Sequence, residues 1–190
     1  LRPFGARLRG GARTVVPEEL DDGLPTIRVA VSAPVPRWGA PAYWLLGARA
    51  AAALRRHALT HGMPDVLHAH STFHGGVAGV RLARLFGRPL VLTEHLSAIV
   101  EPGWPARRHE EDVLRRTAAR ADRVIAVSSA LRDGLARHGV DPARVEVVPN
   151  LVDPRFFSEA PPPESPAPIV FGVSHLVPRK RMDLLIRAVA

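Results

Sequence analysis

The chain has 190 residues, 46% of them hydrophobic, no cysteine and a formal charge of +8. That length and apolar content are enough for a sizeable buried core, and the lack of cysteine excludes disulfides and thiolate metal sites and fits a reducing compartment. No apolar run approaches the roughly 18 residues of a membrane-spanning helix. The arginine surplus favours phosphates, whether of a ligand, an anionic lipid or a nucleic acid, but a GC-rich genome produces the same Ala/Arg/Pro-rich composition. The chain begins at Leu1 and stops at Ala190 inside a helical pattern, so it reads as a piece of a longer protein.

Residues 1–25 carry Gly5, Gly10, Gly11, Pro17 and the acids Glu18, Glu19, Asp21 and Asp22. They read as loop or edge, with no phosphate-loop or dinucleotide glycine pattern. Thr26 to Val31 alternates as a short strand, and a proline-rich turn (Pro34, Pro36, Pro41) follows. Ala42 to Thr60 is predicted helical, with Trp44, Leu45, Ala48, Ala52 and Leu59 on its apolar side. Arg49, Arg55, Arg56 and His57 make it basic. Such a helix suits the outside of an α/β domain and can also lie on an anionic membrane surface.

From Pro64 the pattern becomes regular. Strands are expected at Asp65–Ala69, Pro89–Thr93, Arg123–Val127 and Arg144–Val148, with helices at Gly75–Phe86, at Trp104–Ala121 and from Ser128 or Ser129 to about His138. In the middle helix Glu110, Glu111 and Asp112 precede Arg115, Arg116 and Arg120, the order that suits the helix dipole. Short apolar strands alternating with helices mean parallel βαβ units with right-handed crossovers. The fold class is α/β.

After Val148 the rhythm breaks. Six prolines (Pro154, Pro161, Pro162, Pro163, Pro166 and Pro168) make a stiff connector over 154–168. Residues 1–153 then form one domain, incomplete at its start, and 169–190 begin a second. Ile169–Val173 reads as a buried strand, Ser174–His175 as a polar turn, and Met182, Leu185, Ile186 and Val189 recur at helical spacing. Strand, basic loop and helix together are a layout that gathers N–H groups and cations around an anion. Lys180, in that loop, is the only lysine of the chain.

Two further clusters stand at expected strand ends, where open α/β sheets place ligand groups. His68, His70 and His74 form H-x-H-x3-H, and Ser71 to Gly76 open a helix. The histidines suggest metal nitrogens, but their loop holds no carboxylate. The helix start suggests N–H groups offered to an anion or to sugar hydroxyls. Thr93-Glu94-His95-Leu96-Ser97 sets a carboxylate beside an imidazole suited to acid–base work.

Taken in order, PDVLHAH, the Gly75-Gly76 helix start, GRPLVLTEH, ARADRVIAVSS, VEVVPNLVD and GVSHLVPRK resemble the family 4 glycosyltransferases of GT-B fold, over roughly residues 24–190. The resemblance implies two Rossmann-like domains facing a cleft. The N-terminal domain would take a glycan or lipid-linked acceptor, and the C-terminal one a nucleotide-sugar donor. It also implies sugar transfer with retention, no metal or other cofactor, and no nucleic-acid partner. The setting would be the cytoplasm, or the inner face of the membrane with peripheral anionic contact.

Residue by residue, Lys180 matches the family lysine on the donor diphosphate, which would stabilise charge on the leaving group. His175 stands where a second phosphate-binding arginine is usual, and Ser174 and Arg181 replace common glycines. His95 matches a histidine near the transferred sugar and is the catalytic candidate. His70, His74, Gly75, Gly76, Glu94 and Ser97 are acceptor-side candidates, and Asn150 matches an interdomain position. Acceptor choice would rest on loops such as 32–44 and 96–105. The family's glycine-rich loop and E-x7-E motif do not occur in these residues, so the chain alone is expected to be inactive within a catalytic parent. Two rival readings remain: a non-catalytic Arg-rich module for anionic lipid or nucleic acid, and a metal hydrolase using His68 and His70.

Overall fold

A computed structural model describes residues 19–21, 23–29, 40–105, 108–157, 170–174 and 176–189. The chain divides into two compact units, Leu1–Asn150 and Leu151–Ala190. The first opens with an antiparallel pair, β1 (Glu19–Asp21) and β2 (Leu24–Thr26). It then runs α1 (Ala40–His61), β3 (Leu67–His70), α2 (Val77–Phe86), β4 (Leu90–Glu94), α3 (Arg108–Ala118), β5 (Arg123–Ala126), α4 (Ser129–Arg137) and β6 (Val145–Val147). Strands β3-β4-β5-β6 form one four-stranded, Rossmann-like sheet in that order, every pair parallel.

Register explains the core. Ala69 lies opposite Leu92, Leu92 opposite Val124 and Val124 opposite Val145. This apolar row crosses all four strands, and each member is at most 8% exposed. Leu90, Ile99, Leu114, Leu131 and Leu135 pack into the same core. Burying a leucine of this kind stabilises by about 1.5–3 kcal/mol. Gly79 lets α2 approach closely, since a Cβ there would stand 2.9 Å from the Ala69 Cβ.

The helix ends are answered in kind. Ser128 Oγ accepts from Leu131 N–H at 3.1 Å and caps α4. Arg144 donates to the carbonyls of Ala119 (3.0 Å) and Ala121, just past α3. The Asp122 carboxylate accepts from Leu90 N–H at 2.7 Å, tying the start of β5 to the start of β4.

Four expectations change. The strand expected at Thr26–Val31 pairs only as far as Thr26, in the β1–β2 hairpin; Val29 makes an isolated bridge, and residues 30–31 lie outside the described residues. Helix α1 buries Gly47, Ala51 and Ala53 rather than the bulky residues, leaving Trp44 62% and Leu59 89% exposed. The reason is close packing on α2: a Cβ at Gly47 would meet Arg81 Cδ at 2.5 Å, while the Arg81 guanidinium lies 5.1 Å over the Trp44 ring. Helix α3 is described from Arg108 rather than Trp104: residues 101–105, with Pro102, Gly103 and Pro105, are non-helical, and 106–107 lie outside the described residues.

The fourth change falls in the second unit, where 170–173 are irregular. A strand is held by its neighbours' hydrogen bonds, and among the described residues nothing pairs with these four. Phe171 is 85% exposed. Helix α5 (Met182–Val189) forms as expected, with Leu185 and Met182 packed against Gly172. Pro154–Phe157 and Pro178–Lys180 are single tight turns, and the proline connector beyond Phe157 lies outside the described residues.

A candidate active-site cleft at the ends of β3 and β4

Strands β3 and β4 deliver the histidines. The His68 ring shares a 2.7 Å hydrogen bond between its Nε2 and Thr93 Oγ1. His70 Nδ1 and His95 Nε2 share another at 2.9 Å. The three rings form a row, with centroids 4.4 Å apart for His68–His70 and 5.2 Å for His70–His95. Partial burial, and then the neighbouring His68 and His95, pull the His70 pKa below its ordinary value. Imidazole at this position is therefore neutral at neutral pH.

Glu94, the last residue of β4, is fully buried. One carboxylate oxygen accepts from the N–H and hydroxyl of Thr72, and the other from His95 N–H and Leu96 N–H, both at 2.8 Å. A buried carboxylate persists only when its oxygens are answered in this way. Glu94 thereby pins the loop after β3 to the loop after β4, and it does so out of contact with solvent.

The loop after β3 is tightly wound. Ser71 N–H donates to Thr93 O and Gly76 N–H to Ser71 O, both at 2.8 Å. With Thr72 N–H taken by Glu94, these three donors are used internally rather than held for an anion. Ser71 (φ 63°) and His74 (φ 67°) take left-handed backbone conformations, which cost side-chain-bearing residues on the order of 1–3 kcal/mol each. A Cβ at Gly75 would lie 2.2 Å from His70 O, and one at Gly76 2.9 Å from Thr117 Cγ2. The glycine pair is needed for close approach.

Together these loops enclose a cleft of about 470 Å³ lined by Ser71, Phe73, His74, His95, Leu96, Ala98, Trp104 and Glu110. Apolar walls with two imidazoles and a carboxylate suit a small polyhydroxylated ligand. Tyr43, at the start of α1, sets its ring edge-on to His74, centroids 5.9 Å apart. Burial, then the charge of Glu110, raises its phenol pKa. On the far side Trp104 packs edge-on against His138, whose Nδ1 is 3.1 Å from Glu111 Oε1.

Of the sequence candidates, His70, His74, Gly75, Gly76, Glu94, His95 and Ser97 all fall in or beside this cleft. Ser97 opens the short turn Ser97–Val100 and is exposed. Asn150 is exposed at the end of the first unit. Ser174 and Lys180 are exposed in the second unit, and His175 lies outside the described residues. Among the described residues no three His, Cys, Asp or Glu side chains group as a metal ion requires, so the spacing of His68, His70 and His74 builds no ligand set. Nor is any described helix long and apolar enough to cross a membrane. Sequence reasoning missed Phe73 and Glu110 as lining residues and reached Trp104 only as part of the loop 96–105. Trp104 carried one usable signal, an aromatic between Pro102-Gly103 and Pro105 in a loop after a strand end.

The family model for Glycosyltransferase Family 4 matches residues 9–156. This chain belongs to glycosyltransferase family 4. It is 37% identical over 105 residues to a D-inositol 3-phosphate glycosyltransferase of Paenarthrobacter aurescens, a match covering 52% of this chain and 26% of that protein. It is 39% identical over 105 residues to an alpha-maltose-1-phosphate synthase of Mycolicibacterium smegmatis, covering 51% and 27%. One component of the phosphatidylinositol N-acetylglucosaminyltransferase of Arabidopsis thaliana is 31% identical over 140 residues, covering 72% and 30%. These matches therefore span between 26% and 30% of the relatives' own lengths. The solved structure of Anabaena Alr3699/HepE in complex with UDP-glucose overlaps 60% of this chain and 29% of its own, at 23% identity and a TM-score of 0.45. That overlap is too loose to add to the family assignment.

Proposed function

We propose that the protein carrying this chain transfers a sugar from a nucleotide-sugar donor to a glycan or lipid-linked acceptor, with the His95 cleft on the acceptor side. The family match over residues 9–156 carries the reading. The cleft supports it, because His95 stands at its wall with apolar and aromatic surface around it. The transfer retains anomeric configuration and needs no metal. Lys180, in the turn Pro178–Lys180, contacts the donor diphosphate and stabilises the charge that develops as the sugar–oxygen bond breaks. Ser174 and His175 lie along the same donor-side segment, and Asn150 serves the junction between domains. The relatives' names mention inositol 3-phosphate, maltose-1-phosphate and phosphatidylinositol, which supports trying phosphorylated polyols and lipids as acceptors.

The protein works in the cytoplasm, with peripheral contact to anionic membrane. Helix α1 favours that contact, since Arg55, Arg56 and Leu59 share one hollow on its surface and Trp44 and Leu59 are largely exposed. Such a surface meets anionic headgroups with charge and the acyl boundary with apolar side chains.

The test is a donor-binding screen of the full-length gene product with UDP-, GDP- and ADP-sugars, alongside Lys180→Ala. One nucleotide-sugar is expected to bind saturably and to lose most of its affinity in the variant. A folded protein that binds none of them overturns the transferase reading and leaves the anionic-surface module.

A further inference from the structure

His95 reaches the cleft, but its Nε2 is already engaged. The partner is His70 Nδ1 at 2.9 Å, and His70 does not line the cleft. The geometry points to His70 as a positioning residue, whose hydrogen bond fixes the orientation and tautomer of the His95 ring and so decides what its other nitrogen offers to a bound acceptor.

The surroundings make this a built arrangement. His70 is held in turn by the His68 ring at 4.4 Å, and His68 by Thr93 Oγ1. The His95 backbone is fixed from below by the buried carboxylate of Glu94. Glu110 and His74 are the other titratable groups that share the cleft with His95. One proton lies between the two facing nitrogens, so one ring donates and the other accepts. If His70 donates, His95 carries its proton on Nδ1; if His70 accepts, Nδ1 is a free base. Both patterns keep the bridge but leave different groups on His95 Nδ1, so the proton that His70 holds selects which one the cleft meets. A lone exposed histidine would interconvert freely between tautomers. The pair can take up one further proton with the bridge intact, but a second would set two N–H groups against each other.

The inference rests on the proposed function for its consequence, but its geometry can be tested separately. In the full-length protein, imidazole nitrogen NMR at neutral pH reads the His95 tautomer directly. Wild type is expected to show one dominant tautomer and His70→Leu a mixture, while His70→Asn, whose amide can donate or accept in place of Nδ1, restores the bridging hydrogen bond. Hydrolysis of UDP-, GDP- and ADP-glucose supplies the second readout. Turnover should fall by about 10- to 100-fold in His70→Leu, with donor KM unchanged, and recover in His70→Asn. If His70→Leu does not fold, His70→Gln replaces it, because its amide sits one bond too far out. An unchanged His95 tautomer in the Leu or Gln variant overturns the proposal. So does a change of the wild-type imidazole signals on adding a chelator, which would mean an ion rather than a proton joins the rings. The tautomer readout decides the matter even for a protein that turns over no donor.

Discussion

The loops around His95 and the turn around Lys180 are both short polar segments between elements, yet they are built in opposite ways. Around His95 the polar groups are answered from inside: Glu94 takes four donors, and Ser71 and Gly76 bond within and across the loops. Around Lys180 the turn closes with two backbone bonds, Lys180 N–H to Val177 O (2.9 Å) and Arg181 N–H to Pro178 O (3.1 Å). Helix α5 behind it buries no residue, and Ile186 stands 64% exposed. A helix this short draws its stability from burying its apolar face. The first region is therefore pre-formed within the chain. The second carries the proposed donor-side lysine but little packing among the described residues.

The sharpest way to break the contrast is Glu94→Ala. Removing the carboxylate leaves buried donors on Thr72, His95 and Leu96 without a partner, and the expected loss is about 4 kcal/mol. Denaturant unfolding checks it; a loss under about 1 kcal/mol would mean the loops are held by something else. Gly75→Ala comes next. Its Cβ cannot stand 2.2 Å from His70 O, so the loop must shift, at about 1–3 kcal/mol, and the His70–His95 bond should weaken with it. Thermal unfolding together with the His95 NMR signals would show whether the shift reaches the cleft.

The smallest effect has the opposite sign and lies in the second region. Arg181 adopts φ 48°, where glycine is favoured, and its ion pair with Asp183 at 3.2 Å is exposed and adds little. Arg181→Gly should stabilise the turn locally by about 0.5–1 kcal/mol. Slower hydrogen exchange across 182–189 is the expected sign, and faster exchange would contradict it.

The sequence was legible where a single physical cause dominates. The short runs at 65–69, 89–93, 123–127 and 144–148, alternating with helices, read as parallel strands, and the structure pairs them in that order as 67–70, 90–94, 123–126 and 145–147. Arg181 was recognisable as standing in a glycine's place only through the family resemblance, and its φ of 48° agrees with it. The face of α1 was misread because hydropathy ranks Trp44 and Leu59 above Gly47 and Ala51, whereas close helix packing prefers the small residues. The strand expected at 169–173 was misread because pairing depends on neighbours that a local apolar run does not reveal. The histidines and Glu94 were found as strand-end polar groups. That Glu94 is a buried anchor, and that Phe73, Trp104 and Glu110 complete the cleft, depends on how distant loops fold together, and local spacing does not carry that.

One measurement bears most directly on the division of labour between the two regions. Donor titration and turnover would be compared in the full-length protein for wild type, Lys180→Ala and His95→Ala. The expected result is that Lys180→Ala weakens donor binding, while His95→Ala leaves donor affinity intact and lowers turnover by about 100-fold or more. Unaltered donor binding in Lys180→Ala, or full turnover in His95→Ala, would contradict the account.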